Sequence, residues 1–383
     1  MQNSTTSIHH LPAEILSEVF LCLLSSISRH PDIKNPMVAL DRVVSLVCKS
    51  WRTIAHDEPR LWVEIVAPDR IPDALALVHR YLPRSGSLPL HLVSRTSPDV
   101  LLPFISALSP YASRWRSCHM RGTCASFSEM TPVATPLLSG ARVHVDLPEG
   151  EGEQRLSLHV LADAPWLSQL TIICVNKGPF AISLPLLANL TLLELGVNTH
   201  SLSDLFESLR SCHRTLRELR LGIKEFHKLT LEGHGSWPVL QLITPPALRL
   251  KALIIRTPID HGILLQCLAR TPNLVSLSLG ISPASRLLLR GLTIRDSNDP
   301  GMLVPRLQLM ACDCAGDLDA LNEFFEGRLW PRVLRNGTRI EMRIMLPQKV
   351  MDSLLLIGNQ YAPVDNPWVM EVRRQRRAMQ GRA

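Results

Sequence analysis

A short alternation of apolar residues returns along almost the whole chain at intervals of 23 to 35 residues, and it constrains the fold more than any other feature. It appears as Val63/Ile65, Leu90/Leu92, Cys118/Met120, Val143/Val145 and Leu170/Ile172. It continues as Leu193/Leu195, Leu219/Leu221, Leu253/Ile255, Leu277/Leu279, Leu307/Leu309 and Met342/Ile344. A period of two predicts short strands with one buried face. Several carry the same lead-in: Pro165-Trp166-Leu167-Ser168-Gln169-Leu170-Thr171-Ile172 and Pro272-Asn273-Leu274-Val275-Ser276-Leu277-Ser278-Leu279 both read P-x-L-x-x-L-x-[LI], and Leu216–Leu221 and Leu250–Ile255 repeat its core. Between strands, Ile71–Leu82, Val100–Leu108, Leu202–Arg210 and Gly262–Ala269 have the three- and four-residue apolar spacing of helices. One strand and one helix cannot bury their own apolar faces, whereas a stack of such units makes a continuous core.

This arrangement resembles a leucine-rich repeat of the helical type. The resemblance implies an α/β fold in which residues 62–346 form an irregular solenoid, with parallel strands on the concave face and helices outside. A doubly wound α/β domain is the alternative. A helix over Gln348–Ile357, within residues 347–360, would cap the stack. If the paired apolar residues of each strand point inward, the residue between them faces the open side. That row is Glu64, His91, His119, His144, Thr171, Glu194, Arg220, Ile254, Ser278, Gln308 and Arg343. His91, His119, His144, Glu194, Arg220 and Arg343 are its candidate target-binding side chains, a polar mixture suited to a protein surface.

The N-terminal segment reads differently. Pro12 suits the first position of a helix, Glu14 complements the dipole of its first turn, and Ile15, Leu16, Val19, Phe20 and Leu23 make one apolar stripe. A second helix is predicted over Val38–Leu46. A third carries Val47, Trp51, Ile54 and Ala55 on one face and stops before Pro59, after which Leu61 and Trp62 add an apolar anchor. Three short helices in so few residues bury little surface, so a neighbouring domain or another chain must cover their apolar side. Leu11-Pro12-Ala13-Glu14-Ile15-Leu16, Val19-Phe20, Val47-Cys48-Lys49-Ser50-Trp51-Arg52-Thr53-Ile54-Ala55 and Pro59-Arg60-Leu61-Trp62 resemble, in order and spacing, the pattern of the F-box family. The stretch Ser25–Arg42 is longer than the family's usual link between its first two helices. The resemblance implies docking to a Skp-type adaptor and through it to a cullin. The residues it implicates are Leu11, Pro12, Glu14, Ile15, Leu16, Val19, Phe20, Val47, Cys48, Trp51, Ile54, Pro59, Leu61 and Trp62.

Charge and cysteine usage narrow the rest. Of the net charge of +7, residues 371–383 hold +4, with five arginines against Glu371. The remainder carries about +3, so a nucleic-acid-binding body is not expected. The nine cysteines are odd in number and irregularly spaced, which predicts a reducing compartment, cytoplasmic or nuclear. No apolar run approaches the length of a membrane span, and the opening MQNSTTS is not an apolar signal. G-x-S-x-G, the P-loop and H-E-x-x-H are absent. Gly233–Ser236 reads as a turn, Cys312-Asp313-Cys314 lacks the second pair a zinc site needs, and Asp313, Asp317 and Asp319 read as a solvated cluster.

The expected organisation is a disordered N-terminus over 1–7, an F-box over 8–61, the repeat domain over 62–346, the cap over 347–360 and a basic disordered tail over 361–383. Overall similarity is greatest to fungal-type F-box proteins with divergent leucine-rich repeats. The expected role is the substrate-recognition subunit of an SCF-type (Skp–cullin–F-box) ubiquitin ligase, with no catalytic site, metal or cofactor of its own. A scaffold that carries an F-box outside any ligase is the alternative.

Overall fold

The structure, a computed structural model, describes residues 11–147, 154–174, 180–196, 215–222, 250–255, 260–293 and 303–313, short of Pro31, Lys34, Thr96 and Leu186, with further positions between 320 and 377. It forms two compact units, Met1–Lys177 and Gly178–Ala383. The expected helices at Leu202–Arg210 and Gln348–Ile357, the Gly233–Ser236 turn, residues 1–7, Cys314, Asp317 and Asp319 lie outside the described residues. Of the basic tail, Met370, Arg373, Arg374 and Arg377 are described, with helical backbone.

The first unit opens with α1 (Ala13–Ser28), α2 (Pro36–Val47) and α3 (Lys49–Asp57). Pro12 stands one place earlier than its fixed φ suggested, at the N-cap, where its carbonyl accepts from Ile15 and Leu16 N–H. The long Ser25–Arg42 link is mostly absorbed into the helices, since α1 runs to Ser28 and α2 begins at Pro36. Asn35 starts α2: its Oδ1 accepts from Val38 N–H, and its Nδ2 donates to Val66 O at 3.0 Å. The V-C-x-x-W-R stretch is a helix break with caps on both sides. Cys48 is fully extended and ends α2, while its Sγ accepts from Trp51 N–H at the start of α3. Arg52 Nη2 reaches back to Ser45 O at 2.6 Å, satisfying a carbonyl that the end of α2 leaves free. Leu16 and Phe20 are buried, and Phe20 meets Trp51 with ring centroids 5.2 Å apart.

Then follow β1 (Glu64–Val66), α4 (Ile71–Tyr81), β2 (Leu90–Ser94), α5 (Pro98–Leu108), β3 (Trp115–Gly122), α6 (Cys124–Glu129), β4 (Gly140–Val145), β5 (Gln154–Ser157) and β6 (Gln169–Cys174). Strands β1, β2, β3, β4 and β6 lie side by side in chain order, all parallel. The second unit holds β7 (Phe180–Ser183), β8 (Leu192–Gly196), β9 (Glu218–Leu221), β10 (Ala252–Ile255), α7 (His261–Ala269), β11 (Ser276–Pro283), α8 (Arg286–Leu292), β12 (Leu309–Asp313), β13 (Arg332–Val333), β14 (Arg339–Ile340) and β15 (Arg343–Met345). There β8, β9, β10, β11, β12 and β15 are again parallel and in chain order, and β13 and β14 form a separate antiparallel pair. The fold class is therefore α/β, with N-terminal helices and mostly parallel strands.

The lead-in motif has a structural cause. All three of its apolar positions are buried in Leu167/Leu170/Ile172, Leu216/Leu219/Leu221, Leu250/Leu253/Ile255 and Leu274/Leu277/Leu279. The two residues after its first Leu turn their N–H groups onto one carbonyl of the preceding layer. Arg217 and Glu218 donate to Thr191 O, Lys251 and Ala252 to Arg217 O, and Val275 and Ser276 to Lys251 O. Each layer is thus fixed to the one before it at the strand entrance, where backbone groups would otherwise be orphaned.

The same bond corrects one strand. Gln308 and Leu309 both donate to Val275 O, so Leu307 is the first Leu of the lead-in and not the first of the strand pair. Met310 and Cys312 are the buried pair, Leu309 is half-buried, and Ala311 takes the place expected for Gln308. Met and Cys in two leucine positions, with an apolar residue at an outward one, shifted the apparent period by one residue.

Candidate functional site

The first surface of interest is the polar face of the first unit's sheet. On β3 the alternation is plain: Cys118 and Met120 are buried, and Ser117, His119 and Arg121 are half-buried on the other side. Register sets which side chains stand level. Glu64, His91, Ser117, Gly140 and Gln169 form one rung; Val66, Val93, His119, Arg142 and Thr171 form the next. His91, His119 and His144 therefore share a face but climb it diagonally, each on a different rung. Thr171, expected to face outward, is buried.

Between these rungs lies an open hollow of about 320 Å³ bordered by Glu64, His91, Arg95, Ser117, His119 and Arg142. Arg95 Nε donates to His119 Nδ1 at 3.1 Å, which makes Nδ1 the acceptor and leaves the imidazole hydrogen on Nε2. His91 Nδ1 lies 2.7 Å from Ser117 Oγ. The His119 and His144 rings are 4.8 Å apart. Burial, with Arg95, His144 and Arg142 alongside, pushes the His119 imidazole down to about 3. Burial also lowers His91, against Glu64, and lowers His144 together with Arg142 and Arg121. The imidazoles are thus neutral at pH 7. The sequence pattern missed Arg95, Ser117 and Arg142; counting two residues back from His119 and His144, and four on from His91, would have found them.

On the second unit's sheet, Glu194, Arg220, Ile254, Ser278, Ala311 and Met345 are level. Arg220 is held between two carboxylates, with Nε 2.6 Å from Glu218 and Nη1 3.6 Å from Glu194. Arg343 pairs with Leu309 one rung earlier, and its side chain lies outside the described residues. The two sheet faces therefore differ: cations predominate on the first and balanced pairs on the second.

The second surface is on the helices. Leu11, just before α1, and Ile15 and Val19 on it, spaced four residues apart, are 41%, 49% and 46% exposed. On α2, Val43, Leu46 and Val47 are likewise exposed, Leu46 to 83%. Six of the thirteen exposed large hydrophobics among the described residues thus fall between positions 11 and 47. The opposite side of α2 buries Met37, Leu40 and Val44, so this helix is apolar on two sides, of which only one faces the chain's own core. Val43 and Leu46 escaped sequence reading because the motif blocks skip the middle of α2, although their three- and four-residue spacing beside Val47 is visible.

The other F-box-pattern residues divide by burial. Pro12 and Glu14 are exposed beside Leu11. Cys48, Trp51, Ile54 and Pro59 are half-buried. Leu16, Phe20, Leu61 and Trp62 are buried in the core, where they hold the helices together.

A family model described as F-box-like matches residues 8–67. The domain at the N-terminus is F-box-like. No curated protein matches the chain. The F-box-like domain is tied to the first strand–helix layer by a polar knot around Asp41 of α2. Its carboxylate is met by Ser45 Oγ at 3.1 Å, His56 Nε2 at 3.3 Å, Tyr81 Oη at 3.1 Å and Arg84 Nη1 at 3.4 Å. Arg60 adds a tie from the Pro-x-Leu-Trp block to α1, 2.8 Å from Glu18. Among the described residues no group of three or more His, Cys, Asp or Glu is placed to hold a metal, and no helix is long and apolar enough to cross a membrane.

Proposed function

We propose that this chain is the substrate-receptor subunit of an SCF-type ubiquitin ligase. In this reading the F-box-like domain docks on a Skp-type adaptor that brings a cullin, and a divergent leucine-rich-repeat domain holds the target. The observation that carries it is the pair of exposed apolar stripes, Leu11/Ile15/Val19 and Val43/Leu46/Val47, within the F-box-like match. Covering the exposed half of each side chain would contribute roughly 1 kcal/mol per residue. The chain-order parallel strands within each unit support the repeat reading over a doubly wound sheet, which would reverse its order at a switch point.

The receptor would perform no bond chemistry. It would raise the effective concentration of a target lysine near the charged ubiquitin carrier. Localisation in the cytoplasm or nucleus belongs to the same proposal. Co-purification tests it: the full chain should elute with a Skp-type adaptor and a cullin, and Leu11→Ala with Pro12→Ala should weaken that complex. Recovery of adaptor without cullin would favour a scaffold outside any ligase. Failure to bind the adaptor would overturn the proposal.

A further inference from the structure

We infer that the hollow on the first unit's sheet takes an acidic peptide segment whose carboxylates meet Arg95 and Arg142. The inference rests on the receptor reading above and narrows it to a ligand chemistry.

The charges are arranged for an anion. Arg142 is exposed, and among the described residues neither it nor Arg95 has a carboxylate partner. Arg116 stands on the same strand as Ser117, while Arg121 is already committed to Asp146 at 2.8 and 3.1 Å. Glu64 is the one acid in the lining and sits at the β1 side. The three histidines are neutral and do not offset the arginines. An uncompensated guanidinium fork matches a carboxylate in a bidentate geometry.

The shape suits an extended segment. Arg95 follows Ser94, which is level with Met120, so it stands one rung beyond Arg142 and two strands away. Strand spacing and rise place the two Cα atoms about 12 Å apart. Acidic residues at i and i+4 of an extended segment project to one side about 13 Å apart. The floor is low at Gly140, where an added Cβ would meet nothing within 4 Å. Ser117 and His119, from β3, can offer hydrogen bonds between the two arginines. The lining has no Phe, Tyr or Trp on which bases could stack, which favours a peptide over single-stranded nucleic acid.

The test uses the full chain with its adaptor and a fluorescein-labelled peptide of alternating Glu and Thr. Anisotropy should report binding that weakens steeply with salt and is at least tenfold weaker for the Gln-for-Glu peptide. Arg95→Gln with Arg142→Glu should lower affinity at least tenfold. Gly140→Leu should do so by filling the hollow without changing charge, and Arg306→Glu on the second unit should change nothing. Equal binding by wild type and the Arg95/Arg142 variant would overturn the inference, as would an oligonucleotide that displaces the peptide at lower concentration. A photo-crosslinker at Ser117 separates the two levels. Target cross-links there without acidic-peptide binding would overturn the ligand class alone; cross-links found only elsewhere would overturn the sheet face as the target site.

Discussion

Tyr81 donates its phenolic hydrogen to Asp41 Oδ2 at 3.1 Å, joining α4 of the first strand–helix layer to α2 of the F-box-like domain across forty residues of chain. The Tyr81 ring stacks on Trp62, with centroids 5.1 Å apart and planes 5° from parallel. The Arg84 guanidinium lies 4.9 Å from the Trp62 ring centroid. Trp62 is itself fixed by its Nε1–H, which donates to Ala55 O at 2.8 Å. One tryptophan and one aspartate thus make the helical domain and the following layer a single packed body. If the chain is the receptor proposed above, such a joint would hold its target at a set distance from the docking helices.

Asp41→Asn should therefore destabilise the first unit by about 1–3 kcal/mol, since it leaves Arg84 and Tyr81 imperfectly paired in a partly buried site. Burial alone would raise the Asp41 carboxyl; hydrogen bonds from His56, Tyr81 and Ser45, with the charge of Arg84, outweigh it and hold the group below the ordinary carboxylate value. The stabilisation is then complete above that ordinary value and is lost as pH falls through the lower native one. Thermal melts of wild type and Asp41→Asn between pH 7 and pH 3 should converge at the acid end. Parallel curves would show that the carboxylate does not carry the joint.

A separate loss of stability belongs to the histidines. His119 is pushed down to about 3 in the fold by burial, Arg95, His144 and Arg142, whereas in the unfolded chain it titrates near 6.5. The unfolded state therefore binds the proton first. Stability is full above about pH 6.5 and declines as pH drops from there toward 3. His119→Gln should flatten denaturation midpoints between pH 6.5 and pH 4, above the range where Asp41 contributes. An unchanged slope would place the titration elsewhere.

Much of this fold is legible in single residues of the sequence. The L-x-x-L-x-L lead-in works because all three apolar positions are buried and its intervening amides share one carbonyl, both consequences of local chain geometry. The F-box pattern is legible because Cys48, Trp51 and Arg52 cap and pack neighbouring helices. What escapes is register. His91 and His119 each stand between the two apolar residues of their pair, Leu90/Leu92 and Cys118/Met120, yet His91 is level with Ser117. That offset is set by loop and helix lengths between the strands and by the interstrand pairing they permit, neither of which is local. The hollow bordered by Arg95 and Arg142 depends on that offset.

Leu309 and Met310 offer a direct check on register within one strand. Met310 is fully buried and Leu309 half-buried on the opposite face. Met310→Ala should cost about 2–5 kcal/mol, and Leu309→Ala less than about 1 kcal/mol, in denaturant titrations followed by circular dichroism. The reverse ranking would restore the Leu307/Leu309 pairing.

The docking surface can be separated from the core that supports it. Ile15 and Leu46 are exposed on α1 and α2, while Leu16, next in sequence to Ile15, is buried. A charge at either exposed position leaves the helix packing intact but would have to be desolvated in a complex. Ile15→Asp and Leu46→Asp should each weaken binding to a Skp-type adaptor at least tenfold with little change in melting temperature. Leu16→Ala should lower the melting temperature, as expected for a cavity costing about 2–5 kcal/mol. Its affinity should fall only in proportion to the fraction unfolded. Titration calorimetry beside thermal melts distinguishes the two behaviours. Adaptor binding that survives both aspartates would place the interface on another face of the domain.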